Sequence, residues 1–423
     1  MHVVMTAAHA GWGSESVPVG GGGAVCERLC ESWGERDDVR VTVLGTGPTP
    51  PRGVAYHRID VGAGTTPPTR LSEMAYARLC RRFERACTAW IIAQPERVVV
   101  MAHDISEGPT MHRLSARGIP VIVLVHVDVV EYFTRMYLRE QITPERAVAL
   151  FRFARTSPVV PDVLRLVFDK QLDCAMESTR LVVPSPSMVD VLRRCYPDLP
   201  AARCAVVPWG APERFPPENE VRLAREALAM RWGVRAGEKL IVTLSRVSPE
   251  KGIDRLLEAI AHGERLRRSG TAVRVVICGG PAFMQGETFM RGLRRQAEQL
   301  RTPVVFAGHL DGARKRAALE MADVFVAASR HESYGLTTME AFAAGAPVVA
   351  VETHGSRATV DDACGRLVAD GDGLPERLWQ QLETLLRDDA LRARLSEGAR
   401  RRASRETFSQ AAEALIALAR ECG

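Results

Sequence analysis

Glu332 and Glu340 bracket the segment SRHESYGLTTMEAFAAGAPVVA, residues 329–350. A helix start falls between them at Gly335 and Leu336, and Pro347 leads into VVAV, an apolar run that reads as a buried strand. In such a segment one carboxylate can accept hydrogen bonds from sugar or ribose hydroxyls. The N–H groups at the helix start can face a phosphate, and the second carboxylate lies inside the helix. A helix that only packs in a core requires neither two acids nor a glycine beside its apolar run. The blander account is a surface acid plus a helix acid favoured by the dipole. A second segment, TLSRVSPEKGIDRLLEAI, lies some eighty residues earlier. There the strand KLIVTLS delivers Arg246 at its carboxyl end, and after a Ser-Pro turn Lys251 precedes Gly252 and a helix. Two cations so placed suit a diphosphate, neutralising it when bound and stabilising the charge that grows on a departing phosphate. Solvated loop cations are the alternative, and it weakens when the two segments are read together.

The elements that must position these groups follow from composition and pattern. At 423 residues, with nearly half of them apolar, the chain exceeds one ordinary core and predicts two domains. Its first half alternates helical stretches with the runs VTVL, RVVVMAH, PVIVLVH and RLVVPS. The second half repeats the rhythm with KLIVTLS, AVRVVICGG, TPVVFAG, ADVFVAAS, PVVAV and GRLV. Continuous β-branched runs suit parallel sheets buried on both faces, so each half reads as a doubly wound α/β unit. The seam lies at VVPWGAPERFPPENE, where prolines cluster and periodicity lapses. This predicts a domain over 1–207, a second over 208–403, and a terminal helix over 404–423 packing back toward the first. In open parallel sheets ligands bind beyond the carboxyl ends of the strands, so two such domains are expected to face a cleft.

A formal charge of +5 without a basic tail argues against a nucleic-acid partner. Arginine supplies nearly all the basic groups: the only lysines are Lys170, Lys239, Lys251 and Lys315, which makes a lysine inside a motif conspicuous. The ten cysteines show no metal-like spacing; Cys26 and Cys30 share a helical face and read as small buried hydrophobes, consistent with a reducing cytoplasm. The amino terminus reads as a first strand rather than a signal peptide, and no apolar run is long enough to span a membrane. The arginine-studded stretch RLCRRFERAC could lie on anionic lipid, but a packed helix with an exposed arginine face accounts for it better. The Asp370–Asp372 pair, in a DGDG loop before a helix, reads as a turn and N-cap, not a metal site.

The order of SRVSPEKGIDRLLEAI, VVICGG, VVFAGHLDGARKRAALEMADVFVAASRHESYGLTTMEAFAAGAPVVA and GRLV resembles glycosyltransferase family 4, retaining enzymes built from two Rossmann-like domains, the GT-B fold. The likeness covers most of residues 236–400. It is weaker but colinear through PVGGGGAVCERLCESW, PVIVLVH, RLVVPSPSMVDVLRR and CAVVPWG. The resemblance implies that Arg246 and Lys251 hold the donor diphosphate, Glu340 the ribose hydroxyls, and Glu332 the transferred sugar. It implies that the N–H groups of Gly335 and Leu336 touch phosphate or sugar, that Gly280, His309 and Leu310 frame the base, and that His126 stands near the anomeric centre. With those roles assigned, Gly22 and Gly23 in the glycine run before AVCERLCESW become the expected phosphate contacts of the first domain. The chain departs from the family pattern at Trp209, where Asn often stands, and at His354-Gly355-Ser356-Arg357-Ala358, where paired glycines and a glutamate are usual.

The expected reaction is transfer of a hexosyl or aminohexosyl group from a nucleotide sugar, UDP by family precedent, to a small acceptor, with no cofactor and no obligatory metal. For the acceptor pocket the candidates are Glu15, His103, Asp104, Asp128 and Glu131, acids and a histidine at or near strand ends of the first domain. Carboxylates there favour an amino-bearing or polyhydroxylated acceptor, which points to an amino-cyclitol of antibiotic biosynthesis. Solvated loop acids are the plain alternative. Other acceptors are a cell-envelope glycan, an inositol-type or a lipid-linked molecule. Other classes sharing the architecture are a sugar phosphorylase, a nucleotide-sugar epimerase, or a nucleotide-sugar-binding protein without transferase activity.

Overall fold

The computed structural model describes the chain except residues 13–20, 63–65, 69–70, 139–140, 155–156, 158–159, 267–271 and 282–285. It divides into two compact units, Met1–Pro208 with Ser409–Gly423, and Trp209–Phe408. The first unit holds β1 (His2–Thr6), β2 (Arg40–Gly45), β3 (Ala55–Arg58), β4 (Val99–Ala102), β5 (Val121–Leu124), β6 (Arg180–Val183) and β7 (Cys204–Val206). They form one parallel sheet in the order β3-β2-β1-β4-β5-β6-β7. Every residue of β1, β4 and β5 is buried, as their continuous apolar runs require. The two outermost strands, β3 and β7, escape the apolar pattern: AYHR and CAV lie at sheet edges and are partly exposed, so burial does not select their residues.

The arginine-rich stretch belongs to helix Glu73–Ile92, which sinks Leu79, Cys80, Phe83 and Cys87 into the core of this unit. Among the described residues no helix is long and apolar enough to cross a membrane. The terminal helix Phe408–Cys422 buries Ala412, Leu415, Ile416 and Ala419, and the Trp33 indole N–H donates to the Ala412 carbonyl at 3.1 Å.

The second unit holds β8 (Lys239–Leu244), β9 (Val273–Cys278), β10 (Val304–Gly308), β11 (Val324–Ala327), β12 (Val348–Val351) and β13 (Gly365–Val368). All are parallel, in the order β10-β9-β8-β11-β12-β13. Each sheet therefore reverses its winding once, between β1 and β4 in the first unit and between β8 and β11 in the second. The crevice beyond such a reversal is where open α/β sheets take ligands, because the flanking loops diverge to opposite faces there. The two α/β, Rossmann-like units are those expected from the strand rhythm.

Candidate active site

The reversal in the second unit collects the two charged segments. Past β8 comes Arg246, then a short 3-10 turn at Pro249–Lys251, then Gly252 in the left-handed region (φ 61°) and helix Ile253–Leu266. Past the neighbouring β11 comes the loop carrying Glu332, which ends at helix Leu336–Ala344. Lys251 Nζ donates to Glu332 Oε2 at 2.7 Å, with the two side chains 18% and 25% exposed, so the pair is shielded yet still open to a ligand. Arg246 is held loosely, 3.5 Å from Glu250 Oε1, and is one-third exposed. Glu250 also accepts from the Ser248 hydroxyl at 2.6 Å. Burial alone would raise the Glu332 carboxyl; the Lys251 ammonium, aided by His331 and Arg246, more than offsets this and holds it below its ordinary value of 4.5.

Several contacts fix this loop. Arg330 grips Asp254 with two hydrogen bonds, 2.8 and 2.6 Å, and the Gly355 N–H donates to the Glu332 carbonyl at 2.8 Å. Gly355 lies in helix His354–Thr359, started by a Thr353–Ser356 capping box. The unusual HGSRA sequence thus forms a helix N-terminus packed on the Glu332 loop. Trp209 is buried, and the neighbouring Gly210 N–H donates to the Tyr334 hydroxyl at 2.8 Å. Gly335 is the N-cap of helix Leu336–Ala344 at φ 95°, a conformation that costs a side-chain-bearing residue. Glu340 lies inside that helix, 8% exposed, and accepts from Lys315 Nζ at 3.1 Å. Beside the reversal, the ends of β8, β9 and β10 are stitched in a row: Val247 N–H donates to the Gly280 carbonyl at 2.8 Å and Gly279 N–H to the Gly308 carbonyl at 2.7 Å. His309 is exposed and Leu310 buried next to that row. The Asp370–Asp372 loop differs from its sequence reading: the N-cap is Gly373, and Asp370 is paired with Arg255 at 3.0 Å.

A Cβ at Gly252 would stand 2.0 Å from the Ala328 carbonyl oxygen and impose a left-handed conformation on a side-chain-bearing residue. Gly252→Ala is expected to lower stability by about 2–3 kcal/mol, read from urea unfolding. Glu332 supplies a pH prediction. Its depressed folded-state pKa contributes stability that is complete above the unfolded value and is lost as pH falls through the folded one. Lys251→Met leaves burial in place and removes its main counterweight. The stability gap between wild type and Lys251→Met should therefore be widest near neutrality and narrow as pH falls, from the variant's raised value above 4.5 down through the wild type's depressed value below it; a gap independent of pH would separate the two side chains energetically.

In the first unit three histidines terminate or follow adjacent strands: His9 after β1, His103 after β4 and His126 after β5. Ring centroids are 5.4 Å apart for His9–His103 and 4.5 Å for His103–His126. Gly21, Gly22 and Gly23 of the glycine run form the first turn of helix Gly21–Gly34. His103 Nε2 meets the Gly22 carbonyl at 2.7 Å, Gly23 is buried, and a Cβ on Gly22 would lie 3.5 Å from the His126 ring. Burial pushes His103 down to about 3, and burial with the neighbouring histidines pushes His126 well below its usual range, so both are neutral near pH 7. Buried Glu107 accepts from His9 Nδ1 at 2.7 Å and from the Tyr76 hydroxyl at 3.0 Å. Burial opposes charge on His9, yet Glu107 wins and raises it.

Two of the acids proposed for an acceptor, Asp104 and Asp128, are engaged internally. Asp128 is the N-cap of helix Val129–Met136, accepting from the Glu131 N–H at 2.9 Å and from Gln171 Nε2 at 3.0 Å. Glu131 is buried in that helix's first turn. Asp104 accepts from the Ser106 N–H and hydroxyl, and burial raises its pKa. Glu15 lies outside the described residues. Sequence reading passed over His9, which ends a strand as His103 and His126 do, and assigned no role to Lys315, although lysine is so scarce in this chain.

Residues 225–402 match the family described as glycosyl transferases group 1, and residues 20–210 match the glycosyl transferase 4-like domain. Each half of the chain thus matches a glycosyltransferase family model, and the two α/β units have the GT-B fold. A D-inositol 3-phosphate glycosyltransferase of Xylanimonas cellulosilytica is 35% identical over 259 residues, 60% of this chain; the chain spans only 58% of that relative's length. Among solved structures, sucrose-phosphate synthase from Thermosynechococcus elongatus superposes with a TM-score of 0.74 at 19% identity, covering 99% of this chain and 98% of the other. Anabaena Alr3699/HepE in complex with UDP-glucose gives 0.65 at 16% identity, covering 99% and 100%. At such identities these two show a shared fold.

Proposed function

We propose that the protein transfers a hexosyl group, with retention, from a UDP-sugar to a hydroxyl of an inositol-type acceptor. The observation that carries the reading is the Lys251–Glu332 pair, with Arg246 beside it and the Gly335–Leu336 helix start behind it, at the reversal of the second sheet. Arg246 and Lys251 hold the diphosphate and stabilise its developing charge, so no divalent ion is needed at that step. Glu332 contacts the sugar, Glu340 the ribose, and the Gly280 and His309–Leu310 strand ends the base. The bond from the anomeric carbon to the phosphate oxygen breaks while the acceptor oxygen bonds on the same face. The acceptor proton passes to the departing phosphate. Neutral His126, and Gly22 with Gly23 at the first helix turn, are the first unit's contribution.

The inositol-type acceptor draws on the name of the bacterial relative. It replaces the amino-cyclitol because Asp128 is used as a helix cap and Asp104 and Glu107 are satisfied within the unit, leaving these carboxylates no evident task in binding an ammonium group. The test is incubation with UDP-, GDP- and ADP-hexoses against inositol, inositol phosphates and an amino-cyclitol, read by mass spectrometry. Nucleoside diphosphate is expected only with a UDP-sugar and an inositol-type acceptor, and chelator should leave the rate unchanged. Turnover of the amino-cyclitol alone would restore the other acceptor. Donor binding without product for any acceptor would leave a binding protein.

A further inference from the structure

We propose that the first unit contains a zinc-type metal site whose protein ligands are His9 Nε2, His103 Nδ1 and Cys26 Sγ. One donor atom from each of these residues lies within 4.8 Å of the other two. Ligands on a tetrahedral zinc ion, about 2.0–2.3 Å from the metal, stand roughly 3.3–3.8 Å apart, so closing the set takes about an ångström of side-chain movement.

The hydrogen bonding around the cluster is what points to a cation. His9 gives its Nδ1 to the Glu107 carboxylate at 2.7 Å, and His103 gives its Nε2 to the Gly22 carbonyl at 2.7 Å. Both partners only accept, so those nitrogens carry the protons. The remaining nitrogens, His9 Nε2 and His103 Nδ1, are buried without a hydrogen-bond partner. In neutral rings both are bare lone pairs, and the two residues cluster with Cys26, itself 2% exposed. An added proton on His9 would satisfy one of them. A metal ion satisfies both and uses the sulfur.

The outer contacts also have the form that metal-binding histidines adopt, a carboxylate on one ring and a backbone carbonyl on the other, each fixing the tautomer that ligates. A thiolate with two imidazoles selects zinc over magnesium, calcium or manganese, and three ligands leave a fourth position for water or another donor. The residues come from the ends of β1 and β4 and from helix Gly21–Gly34, at the winding reversal of the first sheet. The cations assigned to the diphosphate belong to the other unit, whereas His103 bonds Gly22 and packs beside His126, so this site adjoins the residues the first unit is proposed to contribute to transfer.

The experiment uses the full, tag-free chain, loaded with zinc and freed of excess by gel filtration, then with cobalt as a spectroscopic substitute. Expected are one retained zinc per chain and a thiolate-to-cobalt charge-transfer band. Both should vanish in Cys26→Ser and persist in Cys30→Ser, and Glu107→Gln should weaken zinc binding about 10–100-fold. Since Cys26 is buried, His9→Asn is the second variant and should lose the retained zinc with its circular dichroism unchanged. Failure to retain zinc, or an equal band in Cys26→Ser, overturns the site.

Discussion

Replacing Lys251 by alanine is expected to lower kcat by about 10²–10³ with a smaller change in donor KM. The ammonium is 2.7 Å from Glu332 and shielded from water, where a charge acts more strongly than on an open surface. In the ground state Lys251 divides its attraction between Glu332 and the bound diphosphate. As the glycosidic bond breaks, negative charge builds on the leaving phosphate, and the interaction strengthens where it lowers the barrier. The same substitution also strands Glu332, a partly buried carboxylate, without its main counter-charge, so some stability is lost as well. Lys251→Arg separates the two effects: it keeps a positive charge beside Glu332 and should recover stability more fully than turnover, since a planar guanidinium replaces a compact ammonium. Single-turnover kinetics with saturating donor make the measurement. An unchanged rate in Lys251→Ala would remove the residue from the chemical step.

The architecture was legible because parallel strands buried on both faces must be apolar throughout. RVVVMAH and PVIVLVH became β4 and β5, and KLIVTLS, ADVFVAAS and PVVAV became β8, β11 and β12. Edge strands carry no such demand, and β3, with the sequence AYHR, was correspondingly invisible. The same logic separates the two sites. Arg246, Lys251 and Glu332 stand out because charged residues directly follow apolar strands at neighbouring positions of one sheet. The His9–Cys26–His103 cluster has no sequence spacing to betray it: its members come from two strand ends and a helix, and only the reversal between β1 and β4 brings them together. Asp128 could have been read correctly. An aspartate immediately before the amphipathic run VVEYF is an N-cap signature, and that competes directly with a role in ligand binding.

Glu340→Ala should raise donor KM by about 10–100-fold while changing kcat much less, because hydrogen bonds donated by ribose hydroxyls to a charged carboxylate contribute about 1.5–3 kcal/mol in ground and transition states alike. Lys315 makes this argument specific to the present chain. Its ammonium donates to Glu340 Oε1 at 3.1 Å, which orients a carboxylate that is only 8% exposed. A carboxylate so held meets the ribose without first losing rotamer freedom, so affinity depends on the lysine as well. Lys315→Met should therefore weaken donor binding in the same direction as Glu340→Ala but by less, and the double variant should lose less than the sum of the two. Donors lacking a ribose hydroxyl supply the decisive comparison. Wild type should bind a 2′- or 3′-deoxy donor worse than the parent, whereas Glu340→Ala should bind the two alike. If the variant still distinguishes them as strongly as wild type, Glu340 does not touch the ribose, and its pairing with Lys315 serves only to join helix Gly312–Glu320 to helix Leu336–Ala344.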